Sequence, residues 1–229
     1  LYHEAHWAEE QSHAAFAQVE QLAPDSYRAH EVLADSLIAR KRDLEAIEEY
    51  RIVLNQNPNL PDIHEAIGEA LVRAGRLPEA LQEFEDEIQI QPNSAVAHMN
   101  AGRVLLMQGH DDAAGKMLAT ALHEDRPPAE TQALMAKVEL RHHDDRAAIA
   151  HLTNYLADLK GDSTAWYLLF TAWRDLGDQQ HARSAMDMYL KTSRDRQERN
   201  AARKELEQPE DAMRAAEDRP PPPAAAVHE

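Results

Sequence analysis

Thirteen histidines and 41 acidic side chains are the groups through which this 229-residue chain could hold a metal or move a proton. His3 and His6 are three residues apart, close enough to share a helix face, but the repeat geometry described below places no third ligand nearby. His142, His143, Asp144 and Asp145 form a second polar cluster, at a place where a turn is expected. The sequence contains no His-Glu-x-x-His, no phosphate loop ending in Gly-Lys and no Gly-x-Ser-x-Gly elbow. It also has no cysteine, which excludes disulfides, thiolate metal sites and a thiol nucleophile. Runs of carboxylates such as Glu83, Glu85, Asp86 and Glu87 read as a solvated outer face, because acid/base work needs a closed, partly dry cleft. Neither catalysis nor a metal or other cofactor is expected.

The elements that carry these residues are helical. Seven glycines and three phenylalanines stand against abundant Ala, Leu, Glu, Gln and Arg, a helix-forming composition. The formal charge of −17 disfavours nucleic acid, which demands clustered cations, and docking on anionic lipid. No run approaches the roughly 18 to 20 apolar residues of a membrane span. The compartment stays open, with the cytoplasm as working expectation and the periplasm or secretion as alternatives. Leu1 in place of Met is read as a sign of a longer native polypeptide, whose upstream part could itself be an enzyme or sensor. Residues 209–229, with Pro220 to Pro223 followed by alanines, are expected to be a disordered tail.

Self-comparison shows a period of 34. Ala46, Ala80, Ala114, Ala148 and Ala182 keep that spacing, each followed four residues later by a large apolar residue: Tyr50, Phe84, Leu118, Leu152 and Met186. Pro24, Pro58 and Pro92 share it, as do His30, His64 and His98. Gly75, Gly109 and Gly177 lie on the same lattice, with His143 in the gap. Within one period, Ile63, Ile67 and Leu71 make one apolar stripe, Ala74-Gly75-Arg76 interrupts, and Ala80, Leu81, Phe84 and Ile88 make another. The unit is a helical hairpin, with Ser26, Asn59 and Ser94 as expected caps for the first helices.

This pattern resembles the tetratricopeptide repeat (TPR). Gly68 and Gly102, with Ala34 and Ala136 in register, match its small residue in the first helix; Ala80 matches the one in the second, Phe84 and Tyr50 its aromatic, and Trp166 its opening tryptophan. Departures are His30, His64 and His98 at the opening aromatic, Arg126 and Lys160 at the closing proline, and Phe170 at a small position. The resemblance implies an all-α, right-handed superhelical solenoid with five repeats at 27–60, 61–94, 95–128, 129–162 and 163–196. A partial repeat at 1–26, a solvating cap helix at 197–208 and the tail complete it.

In that family the first helices line a concave groove that holds an extended peptide or a partner helix. The positions expected to face it are Arg28, Glu31, Asp35, Asp62, Glu65, Glu69 and Arg73, then Met99, Asn100, Arg103, Glu130, Lys137, Arg141, Tyr167 and Arg174. Residues 27–94 carry a net −7 and residues 95–196 only −2, so the expected groove is acidic at one end and more basic at the other. The resemblance implies a non-catalytic scaffold for a protein or peptide partner, with Asn100 bonding peptide backbone. Glu31 and Asp35 stand where a carboxylate clamp would need Lys and Asn, which disfavours a chaperone's acidic tail. Self-association through the terminal repeats is a further expectation.

Overall fold

A computed structural model describes residues 25–193 and contains only helices among them. The ten helices are α1 (Tyr27–Ala39), α2 (Asp43–Gln56), α3 (Ile63–Arg73), α4 (Leu77–Ile90), α5 (Ala95–Gln108), α6 (Asp111–His123), α7 (Glu130–Arg141), α8 (Asp145–Asp158), α9 (Ser163–Asp175) and α10 (Gln179–Thr192). The expected partial repeat at 1–26, save its last two residues, the cap helix and the tail lie outside the described residues.

The lattice of 34 governs how each hairpin turns. Lys41, Gly75, Gly109, His143 and Gly177 all have positive φ, between 59° and 81°. This left-handed residue lets the next amide reach back to the first helix: Arg42 to Leu37 O, Arg76 to Leu71 O, His110 to Leu105 O, Asp144 to Glu139 O and Asp178 to Trp173 O, each at 2.9 Å. The same residue then opens the second helix. Asp144 and Asp178 cap it with their carboxylates, accepting from the amides of Ala147 and His181 at 3.1 Å. Arg42 and Arg76 have no such oxygen and instead pair with Glu45 and Glu79 in the first turn.

First-helix caps follow expectation at two positions, where Ser26 Oγ accepts from Ala29 and Ser94 Oγ from Ala97. Asn59 does not cap α3. The register places Leu60 where Ser26 and Ser94 stand, and an aliphatic chain accepts nothing, so α3 begins later, behind Asp62 in a left-handed conformation at φ 70°. The acceptor comes from α4: the fully buried Glu87 carboxylate takes the amides of Asp62 at 3.0 Å and Glu65 at 3.4 Å, plus Gln91 Nε2 at 2.7 Å. Glu87 is therefore a structural acceptor rather than part of a solvated face.

Two compact units divide the chain after Val138, within α7. In the first, α1 packs on α2, α3 on α4 and α5 on α6, while α2–α3 and α4–α5 contacts join successive hairpins and α3 also touches α5. Ile47, Tyr50, Ile67, Leu71, Phe84 and Val104 form one buried cluster, and Met99, Leu105, Leu118, Leu134 and Val138 another. The small first-helix residues are where helices meet most closely. A Cβ on Gly68 would lie 2.6 Å from Phe84 Cε1, and one on Gly102 would lie 2.7 Å from Leu118 Cγ. In the second unit α9 packs against α8 and α10, with Phe170 and Met186 both buried.

Candidate functional site

The expected groove residues of the first unit fall into three groups. Several are engaged inside the fold. Glu31 accepts from Arg28 at 3.0 Å, Asp35 from the Tyr50 hydroxyl at 2.5 Å, and Asp62 from Gln91 Nε2 at 2.8 Å. Burial, together with the Asp35 contact, pushes the Tyr50 phenol well above its ordinary pKa and keeps it the donor. Met99 differs from expectation more strongly. It is buried in the cluster with Leu134 and Val138, because all neighbouring positions of α5 from Ala97 to Gly102 are also buried and leave no solvated side for it.

A second group is polar and poorly satisfied. The side chain of Asn100 on α5 is fully buried, and neither its amide nitrogen nor its oxygen has a hydrogen-bond partner among the described residues. Arg103, one turn on, has a buried Nε in the same condition. Glu65 on α3 is half-buried. Its carboxyl is pushed up to about 7, first by burial and then by Glu69, Asp62 and Glu87, against the opposing pull of Arg103. Negative potential is thus concentrated around Glu65, with Arg103 opposing it. Arg73, within the same acidic stretch, pairs at 2.7 Å with Asp43 and lies 3.8 Å from Glu69. Glu130 and Lys137 on α7 form the exposed third group.

In the second unit Arg141 is exposed, Tyr167 is 38% exposed, and Arg174 lies 5.4 Å from the centre of the Phe170 ring and 2.9 Å from an oxygen of Asp175. Tyr167 is tilted against Phe170 and Tyr189. Sequence reasoning passed over another pair in this unit, Glu139 and His151, whose Oε1 and Nε2 are 3.2 Å apart. Burial and then Asp144 push the Glu139 carboxyl up to about 7, and burial lowers the His151 imidazole, so both favour their neutral forms.

The histidines in register join the two helices of a hairpin. His30 Nδ1 lies 2.6 Å from Glu49 Oε2 and His64 Nδ1 lies 2.7 Å from Glu83 Oε2, while His98 Nε2 meets Pro92 O at 2.9 Å. The Glu83 hydrogen bond raises the His64 pKa, so charging this imidazole tightens its repeat, opposite to the loosening that a bare buried histidine would give. Asp86 comes close to the same pair. Ligand atoms of His64, Glu83 and Asp86 all lie within 4.8 Å of one another. The sequence signal for this group was available in the lattice: 19 and 22 residues separate the two carboxylates from the histidine, which places all three at one helix contact.

Paired helices of similar length, small residues where the first unit's helices meet most closely and a left-handed turn every 34 residues define a helical repeat protein. Family models of the tetratricopeptide repeat match residues 71–138 and residues 10–62 and 45–95. Together these span more than half of the chain, which belongs to the tetratricopeptide repeat family. A comparison with curated proteins gives no match. Among solved structures, the chain is similar to pilF of Pseudomonas aeruginosa at 19% identity and a TM-score of 0.77, over 90% of this chain and 93% of that one. It is similar to YrrB, described as a TPR protein with an unusual peptide-binding site, at 15% identity and a TM-score of 0.67, over 83% and 98%. MamA from Desulfovibrio magneticus RS-1 matches at 16% identity and a TM-score of 0.67, over 73% and 95%. These likenesses support the helical repeat fold. Proteins of this repeat class are in general non-catalytic interaction scaffolds. No described helix is long and apolar enough to cross a membrane.

Proposed function

We propose that the chain is a non-catalytic scaffold whose first-helix face in the first unit binds an extended segment of a protein partner. The observation that carries this reading is Asn100. A primary amide offers two donors and an acceptor, and leaving them unmet in a buried place costs about 1–3 kcal/mol per group. Asn100 is covered in the free chain, so an extended segment must open that cover to supply the complementary backbone carbonyl and amide. Glu65 and Glu69 favour a basic side chain on that segment, since a cation there offsets both the burial and the mutual repulsion that raise the Glu65 pKa.

Selection of binders from a random peptide display library, using the whole chain as bait, tests the proposal. Selected peptides are expected to carry Lys or Arg and to lose at least tenfold in affinity on Asn100→Leu. That variant keeps the fold, because it removes an unmet amide at similar volume. Peptides that bind Asn100→Leu and Glu65→Gln as tightly as the parent would overturn it.

A further inference from the structure

We propose that His64 on α3, with Glu83 and Asp86 on α4, forms a site for one first-row divalent cation of the zinc type. The three residues offer one imidazole nitrogen and two carboxylate oxygens, all within 4.8 Å of one another. A zinc ion bound at about 2.0–2.2 Å from each needs its ligand atoms roughly 3.5 Å apart. The His64–Glu83 pair is already closer than that, at 2.7 Å, so the ion opens it slightly while Asp86 swings in. Asp86 can do so: it is half-buried, and the partner that holds it, Gln82 Nε2 at 3.0 Å, is an exposed neutral amide on the same helix. The side chains of His64 and Glu83 retain 16% and 19% of their exposure, which leaves an ion a route in.

The repeat itself supplies the control. The first copy has the same histidine-glutamate pair, His30 with Glu49, but Ile52 stands in register with Asp86. In the third copy His98 is accompanied by Met117 and Thr120, in the fourth Gln132 by His151 and Asn154, and in the fifth Trp166 by Ala185 and Met188. The pair alone suffices to join two helices. Only the second copy adds a third ligand, and it does so at the position one helical turn from Glu83 that shares its face.

The donor set narrows the ion. One nitrogen and two oxygens without sulfur suit Zn²⁺, Co²⁺, Ni²⁺ or Mn²⁺, whereas Ca²⁺ and Mg²⁺ prefer oxygen alone. Three protein ligands leave a fourth position for water. Imidazole and carboxylate bind a metal only in their deprotonated forms, so the ion competes with protons for this site. Held by both helices, it fastens α3 to α4.

Zn²⁺ titrated into the chelator-treated full chain at neutral pH, followed by calorimetry and by the imidazole ¹⁵N resonances, tests the site. One saturable site is expected, with His64 shifting first among the 13 histidines. Asp86→Asn, isosteric at the surface, should weaken it at least tenfold, and Glu85→Gln, an exposed neighbour on α4, should leave it unchanged. The proposal is overturned by a His64 resonance that stays put, by equal binding to Asp86→Asn, by equal loss with Glu85→Gln, or by tighter binding of Ca²⁺ than of Zn²⁺.

Discussion

Adding one methyl group to Gly68 should destabilise the protein, although the same change is favourable in most helices. Gly68 lies inside α3, where alanine outranks glycine by about 1 kcal/mol in helix propensity. Its new Cβ would stand 2.6, 2.8 and 2.9 Å from three carbons of the Phe84 ring. Phe84 is fully buried on α4 and has no open side to move toward, so the helices must part or the ring must leave its rotamer. Overpacking of this kind costs about 1–3 kcal/mol, and subtracting the propensity gain leaves a net loss of up to about 2 kcal/mol. Urea denaturation followed by far-ultraviolet circular dichroism reads this as a lower midpoint. Gly115→Ala on α6 gives the opposite sign. There the nearest atom, Val138 Cγ1, is 3.4 Å away, an ordinary contact, and a gain of about 0.5–1 kcal/mol is expected. In the double variant Gly68→Ala with Phe84→Leu, the smaller side chain relieves the clash, so the two losses should sum to less than their separate values by about 1 kcal/mol. A Gly68→Ala protein as stable as the parent would refute the argument that crossing distance, rather than helix propensity, fixes this residue.

His143→Gly should stabilise the turn that leads into α8 by about 0.5 kcal/mol. Relief of left-handed strain at φ 59° exceeds the extra unfolded-state entropy of glycine, and thermal unfolding reads the sign. For Glu65, the folded pKa of about 7 lies above the ordinary carboxyl value, so the native state holds a proton the unfolded chain has released. Its contribution to stability is complete below the unfolded pKa and falls as pH rises to about 7. Glu65→Gln should flatten that decline and be more stable than the parent at pH 8; urea midpoints between pH 4 and 8 that are parallel in the two proteins would contradict it.

The sequence was most legible where one physical requirement repeats. A left-handed turn, a small residue at a crossing and a large one facing it recur every 34 residues, so the second copy can be read from the others. Lys41 and His143 show the limit of reading by residue type. Both occupy turns that favour glycine, and they tolerate the strain because the backbone bond from the next residue is the same 2.9 Å in all five hairpins. The candidate site was less legible because a lattice position states which face a side chain leaves from, not what it meets. Asp35 leaves the first helix on the expected face and is claimed by Tyr50, a hydroxyl that Phe84 lacks at the same position in the next copy.

Glu87 makes the same point for the acidic run. It was grouped with Glu85 as surface charge, and its burial follows from a defect elsewhere: Leu60 cannot cap α3, the first amides of that helix are left without an acceptor, and the carboxylate facing them from α4 fills the need. This difference between copies arises from a local failure of the repeat that a second helix makes good. The reading of Asn100 and of the His64 group as sites rests on the converse, polar atoms beyond what the repeat requires for its own structure. Among the described residues Asn100 meets no hydrogen-bond partner, and Asp86 sets a third candidate ligand beside a pair that, in the first copy, stands without one.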